Sequence, residues 1–308
     1  MEYKSLGKSF DKHVYYYLTD LGINYLNSHI NNYIGLMLPM VVVPKLWAID
    51  SQSPGGYLTY NILKQSSLIH SSLDNSGVTL VNSDLIYKHI NLQNSVPFKI
   101  NTLFYNFIIE HGYNLNLLIS NIDDIENNPN KDELKSNFLH QNYILNLSKF
   151  FMGRTFYFTM FFDWRGRIYT ETSYLTFQGN SFAKAMLEFN DGGLIADPEH
   201  FDVLLAYGAS LYGFGKLSFQ DRVNWSITNL DIIVSLDSEF ILSAEEPFLF
   251  IAWSLEIKKN KLNIINKTPF VSHLPIQWDA TCNGLQHLSL LVNDLDLAKS
   301  VNICPSSS

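Results

Sequence analysis

Arginine is the scarcest charged residue of the chain. Four arginines stand against seventeen lysines, and all four lie at or after residue 154. The net charge is −8, which excludes a protein coated all over with base for nucleic acid. Cysteine is nearly absent: Cys282 and Cys304 are too few for a disulfide framework and point to a reducing interior. Long apolar runs are missing too. The longest, Ile34 to Ile49, is shorter than a membrane span and is broken by Pro39, Pro44 and Lys45, so no membrane partner is expected. The N-terminal Met1-Glu2-Tyr3-Lys4 brings an early acid, no apolar stretch and no arginine, so neither a signal peptide nor a transit presequence is expected. No phosphate-binding loop, dinucleotide fingerprint, internal repeat or low-complexity tract occurs.

What is present is ordinary globular material: 308 residues, 46% hydrophobic and 16% charged, enough for about two domains with a sizeable core. Asparagine supplies thirty residues, roughly twice its usual share. This bias suits an AT-rich coding sequence, in which lysine codons displace arginine codons. Each arginine retained in such a background is one whose planar fork is needed, beyond its charge.

Along the chain, Met37 to Pro44 is apolar but carries two prolines, which excludes a regular helix. Ser51 to Gly56 reads as a turn. Ile86 to Ile109 has helical spacing, with a bend at Pro97, and Asn121 to Lys135 reads as an exposed acidic loop between two halves. Tyr143 to Phe151 is expected to be helical. Thr155 to Phe162 and Ile168 to Tyr174 predict a β-hairpin, with Asp163-Trp164-Arg165-Gly166-Arg167 at its charged tip. Ser218 to Asp221 reads as a capping box, and Pro247 as the start of a helix. Leu274, Ile276 and Trp278 alternate with polar or proline positions, which predicts a strand closed by Asp279. Asn283 is expected to cap a following helix with Leu285, Leu288, Leu291 and Val292 turned inward.

Two places could carry chemistry. Asp279, between a strand end and a helix start, could hold a divalent cation or could merely stabilise the helix terminus by charge. The hairpin tip could be an exposed Arg–Asp ion pair or a phosphate grip. Its surroundings favour the second: between Lys149 and Lys184 five basic residues face two acids, interleaved with aromatics that can stack on bases or sugars. His273, Asp279, Cys282 and His287 match no closed zinc spacing, and sequence closeness of Cys282 to His287 does not make a nucleophile pair.

Asp163-Trp164-Arg165-Gly166-Arg167-Ile168-Tyr169, then Gln178-Gly179-Asn180 and Lys184, resembles a signature of the single-subunit DNA-directed RNA polymerases of phages and mitochondria. About a hundred residues on, His273 to His287 resembles that family's motif A. Glu245-Glu246-Pro247-Phe248, Pro44-Lys45-Leu46-Trp47, Gly55-Gly56-Tyr57 and Ser95 to Asn101 fit in the same order, so the resemblance runs from about residue 37 to residue 308. It implies an α+β right-hand polymerase fragment: a mainly helical N-terminal part over 1–104, a short helical thumb-like segment over 105–150, and over 151–308 a partial palm with a small antiparallel sheet. It implies DNA template, RNA transcript and nucleoside triphosphates as partners and Mg²⁺ as cofactor. Asp279 would be a catalytic, metal-binding aspartate and the Ala280 carbonyl a further metal ligand. Asp163, Arg165, Gly166, Arg167, Tyr169 and Lys184 would grip nucleic acid.

The family usually has Gly-Ser after that aspartate; Ala280-Thr281 stand here, and an ordinary negative φ is expected at Ala280. The family's fingers and second catalytic aspartate are expected after motif A and are not recognised within 308 residues. The expectation is therefore a polymerase fragment, inactive by itself and completed by a second chain if the enzyme is split. A non-catalytic nucleic-acid-binding remnant is the alternative. Composition and the expected lack of a presequence point to a gene inside a mitochondrion, on a plasmid, with a phage origin also open.

Overall fold

The computed structural model describes residues 2–3, 16–17, 37–48, 55–58, 68–70, 83–119, 131–163, 165–278 and 282–304. The fold is α+β; among the described residues the helices accompany three two-stranded sheets and one three-stranded sheet. It divides into two compact units, Met1–Asp191 and Gly192–Ser308.

The first unit begins with two short paired strands, β1 (Glu2–Tyr3) and β2 (Tyr16–Tyr17). Then come β3 (Ile69–His70), α1 (Ser83–Asn94), β4 (Phe98–Ile100), α2 (Thr102–His111), α3 (Lys131–Phe151), β5 (Met160–Asp163), β6 (Ile168–Thr170), α4 (Ser181–Ala185) and β7 (Leu187–Phe189). Residues 86–109 are not one bent helix. Pro97 lacks a donor and disfavours helix in the residue before it, so α1 stops at Asn94. The chain extends as β4, and Asn101 opens α2 by accepting the Phe104 N–H at 3.0 Å. The stretch expected to be a loop up to Lys135 is helical from Lys131, where Asp132 and Glu133 complement the positive helix end. Residues 120–130, like 51–54 of the expected turn, lie outside the described residues. As the two prolines require, residues 37–48 form no helix; Met40 bridges Tyr157 instead.

Phenylalanines fill this unit. Phe98 lies edge-on to Phe158 at 4.9 Å and is stacked with Phe177 at 5.6 Å. Phe104, Phe151, Phe156 and Phe182 are fully buried. Antiparallel β4 and β7 join Ile100 to Leu187, so α2 and α3 fall between two paired strands in the chain order. The second sheet has the order β3-β5-β6, with β3 parallel and β6 antiparallel to β5. Buried Asn94, the last residue of α1, anchors that sheet by accepting the Met160 N–H at 3.0 Å.

The second unit holds β8 (Gly193–Ile195), α5 (Pro198–Ala209), a π-helical turn (Ser210–Phe214), α6 (Phe219–Thr228), α7 (Leu230–Ser235), α8 (Ser238–Leu242), α9 (Pro247–Lys259), α10 (Lys261–Asn266), β9 (Phe270–Ser272), α11 (Asn283–Leu291) and α12 (Leu295–Ser300). Ser218 caps α6 as its sequence requires, accepting the Asp221 N–H at 3.2 Å and donating to the Asp221 carboxylate at 2.6 Å. Pro247 opens α9, which buries most of its length rather than one stripe.

The core is built on α5. Trp253 of α9 is fully buried and donates its indole N–H to the Leu204 carbonyl at 2.8 Å, and Ser226 of α6 donates to the Leu205 carbonyl at 2.7 Å. Gly208 lies against the Trp253 ring, so close that a Cβ there would stand 2.1 Å from a ring carbon. Phe201, Leu211, Val223, Ile233, Phe250 and Phe270 complete the cluster.

Three expectations near the end of the chain fail. Leu274 to Trp278 is not a strand: β9 stops at Ser272, paired with β8, and Pro275 then offers no donor for a ladder. Asn283 is the first residue of α11 rather than its cap, and Cys282 takes the cap position at φ 60°. Leu285, Leu288, Leu291 and Val292 are not turned inward. Among the described residues they are 48%, 46%, 83% and 57% exposed, because α11 meets α12 through buried Ser289 and through Gln286, whose amide donates to the Val301 carbonyl at 2.8 Å.

Candidate nucleic-acid interface

The hairpin of β5 and β6 is organised by a single carboxylate. Asp163 Oδ1 accepts the backbone N–H groups of Arg165 at 2.9 Å and Arg167 at 2.8 Å. Oδ2 takes both Arg165 Nε at 2.8 Å and Nη2 at 2.7 Å, two charged donors converging on one oxygen. The Asp163 N–H donates to the Arg167 carbonyl at 2.8 Å, closing the turn. Gly166 sits at φ +81°, a conformation that side-chain-bearing residues rarely adopt. Trp164 lies outside the described residues.

Partial burial of the Asp163 carboxyl works to raise its pKa. The Arg167 amide, then the Arg165 side chain and amide, outweigh it and hold the group below the usual carboxylate value. A carboxyl depressed on folding stabilises the turn above its unfolded pKa of about 3.9, and that contribution is lost as pH falls through the lower folded value. The Arg165 and Arg167 amides are therefore expected to stay protected in hydrogen exchange from neutral pH down to about 4, and to lose protection only in stronger acid. Loss of protection near pH 6 would contradict this.

The two arginines of the tip differ. Arg165 is committed to Asp163, with further interactions to Tyr169. Arg167 is exposed, and among the described residues no carboxylate pairs with its guanidinium. Tyr169 is half-buried on β6 against Phe161, ring centres 5.8 Å apart. Lys184 lies in the last turn of α4.

Gln178 ties these pieces together. Its side-chain oxygen accepts the Thr170 N–H at 2.7 Å and its amide donates to the Ile168 carbonyl at 2.9 Å, so it occupies the outer edge of β6. Two residues later Asn180 caps α4 by accepting the Ala183 N–H at 2.9 Å. The hairpin and the helix bearing Lys184 thus share one scaffold. Sequence reasoning quoted Gln178 and Asn180 only as part of a resemblance. Their roles follow from amides well suited to satisfying backbone groups. His140 of α3 was missed altogether. It lies 3.4 Å from the Asn180 amide and 5.1 Å from the Tyr174 ring, and burial lowers its pKa, favouring the neutral form. Tyr174 stacks on Tyr143 at 4.7 Å and takes φ +62°. No spacing rule links α3 to that loop.

Asp279, Ala280 and Thr281 lie outside the described residues, and so does the φ expected at Ala280. Among the described residues no group of three or more His, Cys, Asp or Glu is placed to hold a metal ion. The approach to motif A is described as far as Trp278, which is 61% exposed.

Residues 196–308, nearly the whole second unit, match the model of the DNA-dependent RNA polymerase family. A probable DNA-directed RNA polymerase of Gelasinospora sp. is 36% identical over 273 residues, covering 87% of this chain and 31% of the relative. One from Neurospora crassa is 34% identical over 316 residues, 92% of this chain and 34% of the relative. The mitochondrial DNA-directed RNA polymerase of Schizosaccharomyces pombe is 33% identical over 171 residues, 54% of this chain and 15% of that protein. The chain belongs to the DNA-dependent RNA polymerases, in the single-subunit type of phages and mitochondria. It spans about a third of the length of the first two relatives.

Proposed function

We propose that the chain works in DNA-directed RNA synthesis, as a nucleotidyltransferase palm portion acting on a DNA template, an RNA transcript and nucleoside triphosphates. The identity to a polymerase along 87% of the chain carries this reading. The hairpin supports it, because Asp163 presents Arg167 to solvent on a turn held by four hydrogen bonds to one carboxylate.

In this reading Arg167 contacts phosphate of the template or hybrid. Asp163 and Arg165 shape the turn that presents it, while Tyr169 and Lys184 add a ring and a cation from the same scaffold. A carboxylate at Asp279 and a carbonyl at Ala280 are hard oxygen donors that suit Mg²⁺. Held by Asp279 and the Ala280 carbonyl, the cation would supply Lewis-acid activation of the RNA 3′-hydroxyl and charge stabilisation for the pyrophosphate leaving group. The mitochondrial relatives favour an organellar site of action, and the AT-rich composition favours a plasmid-borne gene as the source. A second chain enters only if the remaining two-thirds of the enzyme is encoded apart.

The test is binding of a labelled RNA–DNA hybrid across a salt series. Arg167→Ala is expected to weaken binding and to lower the salt slope by about one phosphate contact. Arg165→Ala is expected to act mainly through the turn, lowering affinity with less change of slope. Unchanged binding by Arg167→Ala at every salt concentration would remove the hairpin from the interface.

A further inference from the structure

Tyr174 holds a backbone conformation that a bulky side chain rarely takes. Its φ is +62°, and the Leu175 N–H donates to the Ser173 carbonyl at 2.8 Å, so the turn closes over three residues in the rare and strained form of the γ-turn. Thr172 and Leu175 on either side are buried and fix it. The turn sets Tyr174 into an aromatic cluster. Its ring is stacked on Tyr143 of α3 at 4.7 Å with the planes 26° apart, and the His140 ring lies 5.1 Å away. All three rings are half-buried, not sealed into the core.

Hydrogen bonding fixes the state of His140. Asn180 Oδ1 is taken by the Ala183 N–H, so the side chain turns its NH₂ toward His140 Nδ1, 3.4 Å away. An amide NH₂ only donates, so Nδ1 accepts and the neutral ring carries its proton on Nε2. Among the described residues that Nε2–H meets no acceptor. We propose that Tyr143, Tyr174 and His140 form a site for one unpaired base of a nucleic-acid strand, the tyrosines stacking on it and the His140 Nε2–H donating to a carbonyl on its edge. The proposal rests on the polymerase reading of the chain. A stacked pair keeps an outer face on each ring, and any base supplies the matching π-face. The same scaffold carries cations for the strand's phosphates. Gln178 joins the segment to the hairpin of Arg167, and Asn180 accepts the N–H of Lys184 through its carbonyl at 3.0 Å.

The test is binding of labelled oligo(U) and oligo(dT) to residues 1–308 across a salt series. Tyr174→Ala and Tyr143→Ala are each expected to lower affinity about tenfold with the salt slope unchanged, because a stacked base releases no counterion. Tyr174→Phe keeps the ring and is expected to bind like the parent. Arg167→Ala, in contrast, lowers the slope. With 5-iodouridine in the oligomer, irradiation of the unsubstituted chain is expected to attach it at Tyr143, Tyr174 or His140, a readout independent of any variant's folding. Tighter binding of oligo(U) names the transcript as the strand, and tighter binding of oligo(dT) names the template. Alanine variants that bind like the parent, or attachment elsewhere, overturn the site while leaving Arg167 its role. If the parent chain binds neither oligomer, the nucleic-acid reading of this scaffold fails and the site fails with it.

Discussion

Asp279→Ala is expected to abolish template-dependent extension of an RNA primer on a DNA template by any enzyme that contains this chain. Losing a ligand that stabilises transition-state charge by several kcal/mol corresponds to a fall of about a thousandfold or more. On the proposed reading Asp279 is the carboxylate that motif A contributes and Ala280 adds only a carbonyl, so no neighbour in that motif would replace it. Asp294 and Asp296 do not serve: the Asp294 carboxylate caps α12, accepting the N–H groups of Asp296 and Leu297 at 3.0 Å, and Asp296 is exposed on that helix. By the same argument residues 1–308 by themselves are expected to extend nothing at any Mg²⁺ concentration. Two-metal transfer needs more than one carboxylate, and a single one holds Mg²⁺ weakly. The measurement is primer extension with labelled nucleotide, first with residues 1–308 and then with the polypeptide corresponding to the rest of the relatives added. Extension by residues 1–308 that Asp279→Ala abolishes would place the second carboxylate within them.

The second large effect concerns stability. Gly208→Ala is expected to destabilise the second unit by about 3 kcal/mol, the upper part of the range for overpacked cores. Alanine would otherwise gain about 1 kcal/mol in a helix interior, so the sign of the change decides which effect wins. The clash wins because the neighbour cannot withdraw. A Cβ would stand 2.1 Å from a ring carbon of Trp253, which is fully buried and held by its bond to the Leu204 carbonyl. Urea unfolding should show a lower midpoint for Gly208→Ala. Adding Trp253→Phe should make the double variant less unstable than the two single costs predict, since the smaller ring vacates the site. A Gly208→Ala protein as stable as the parent would mean that α5 and α9 do not pack this closely.

The hairpin was legible because its signals are local. A glycine between two arginines, flanked by aromatic strands, predicts a tight turn, and Asp163 is within reach of both amides. The caps at Ser218 and the start at Pro247 were legible for the same reason. The strand expected to lead into Asp279 was not. Alternation at Leu274, Ile276 and Trp278 reports which side chains face the core, and two of them do, but it cannot report whether a partner strand exists. The leucines of α11 misled likewise, since periodicity locates an apolar face and not what covers it. Counting charges also overstated the tip: Arg165 is neutralised by Asp163, a pairing that only the folded turn reveals.

Gln178 has a consequence for association between molecules. A sheet ends safely only when its last strand offers no free row of donors and acceptors, because such a row templates pairing with another chain. Here the outermost strand is β6, and the amide of one side chain already fills its Thr170 N–H and Ile168 carbonyl. A glutamine thus terminates the sheet as a covering strand would, and two copies of the protein cannot join edge to edge there without first displacing it.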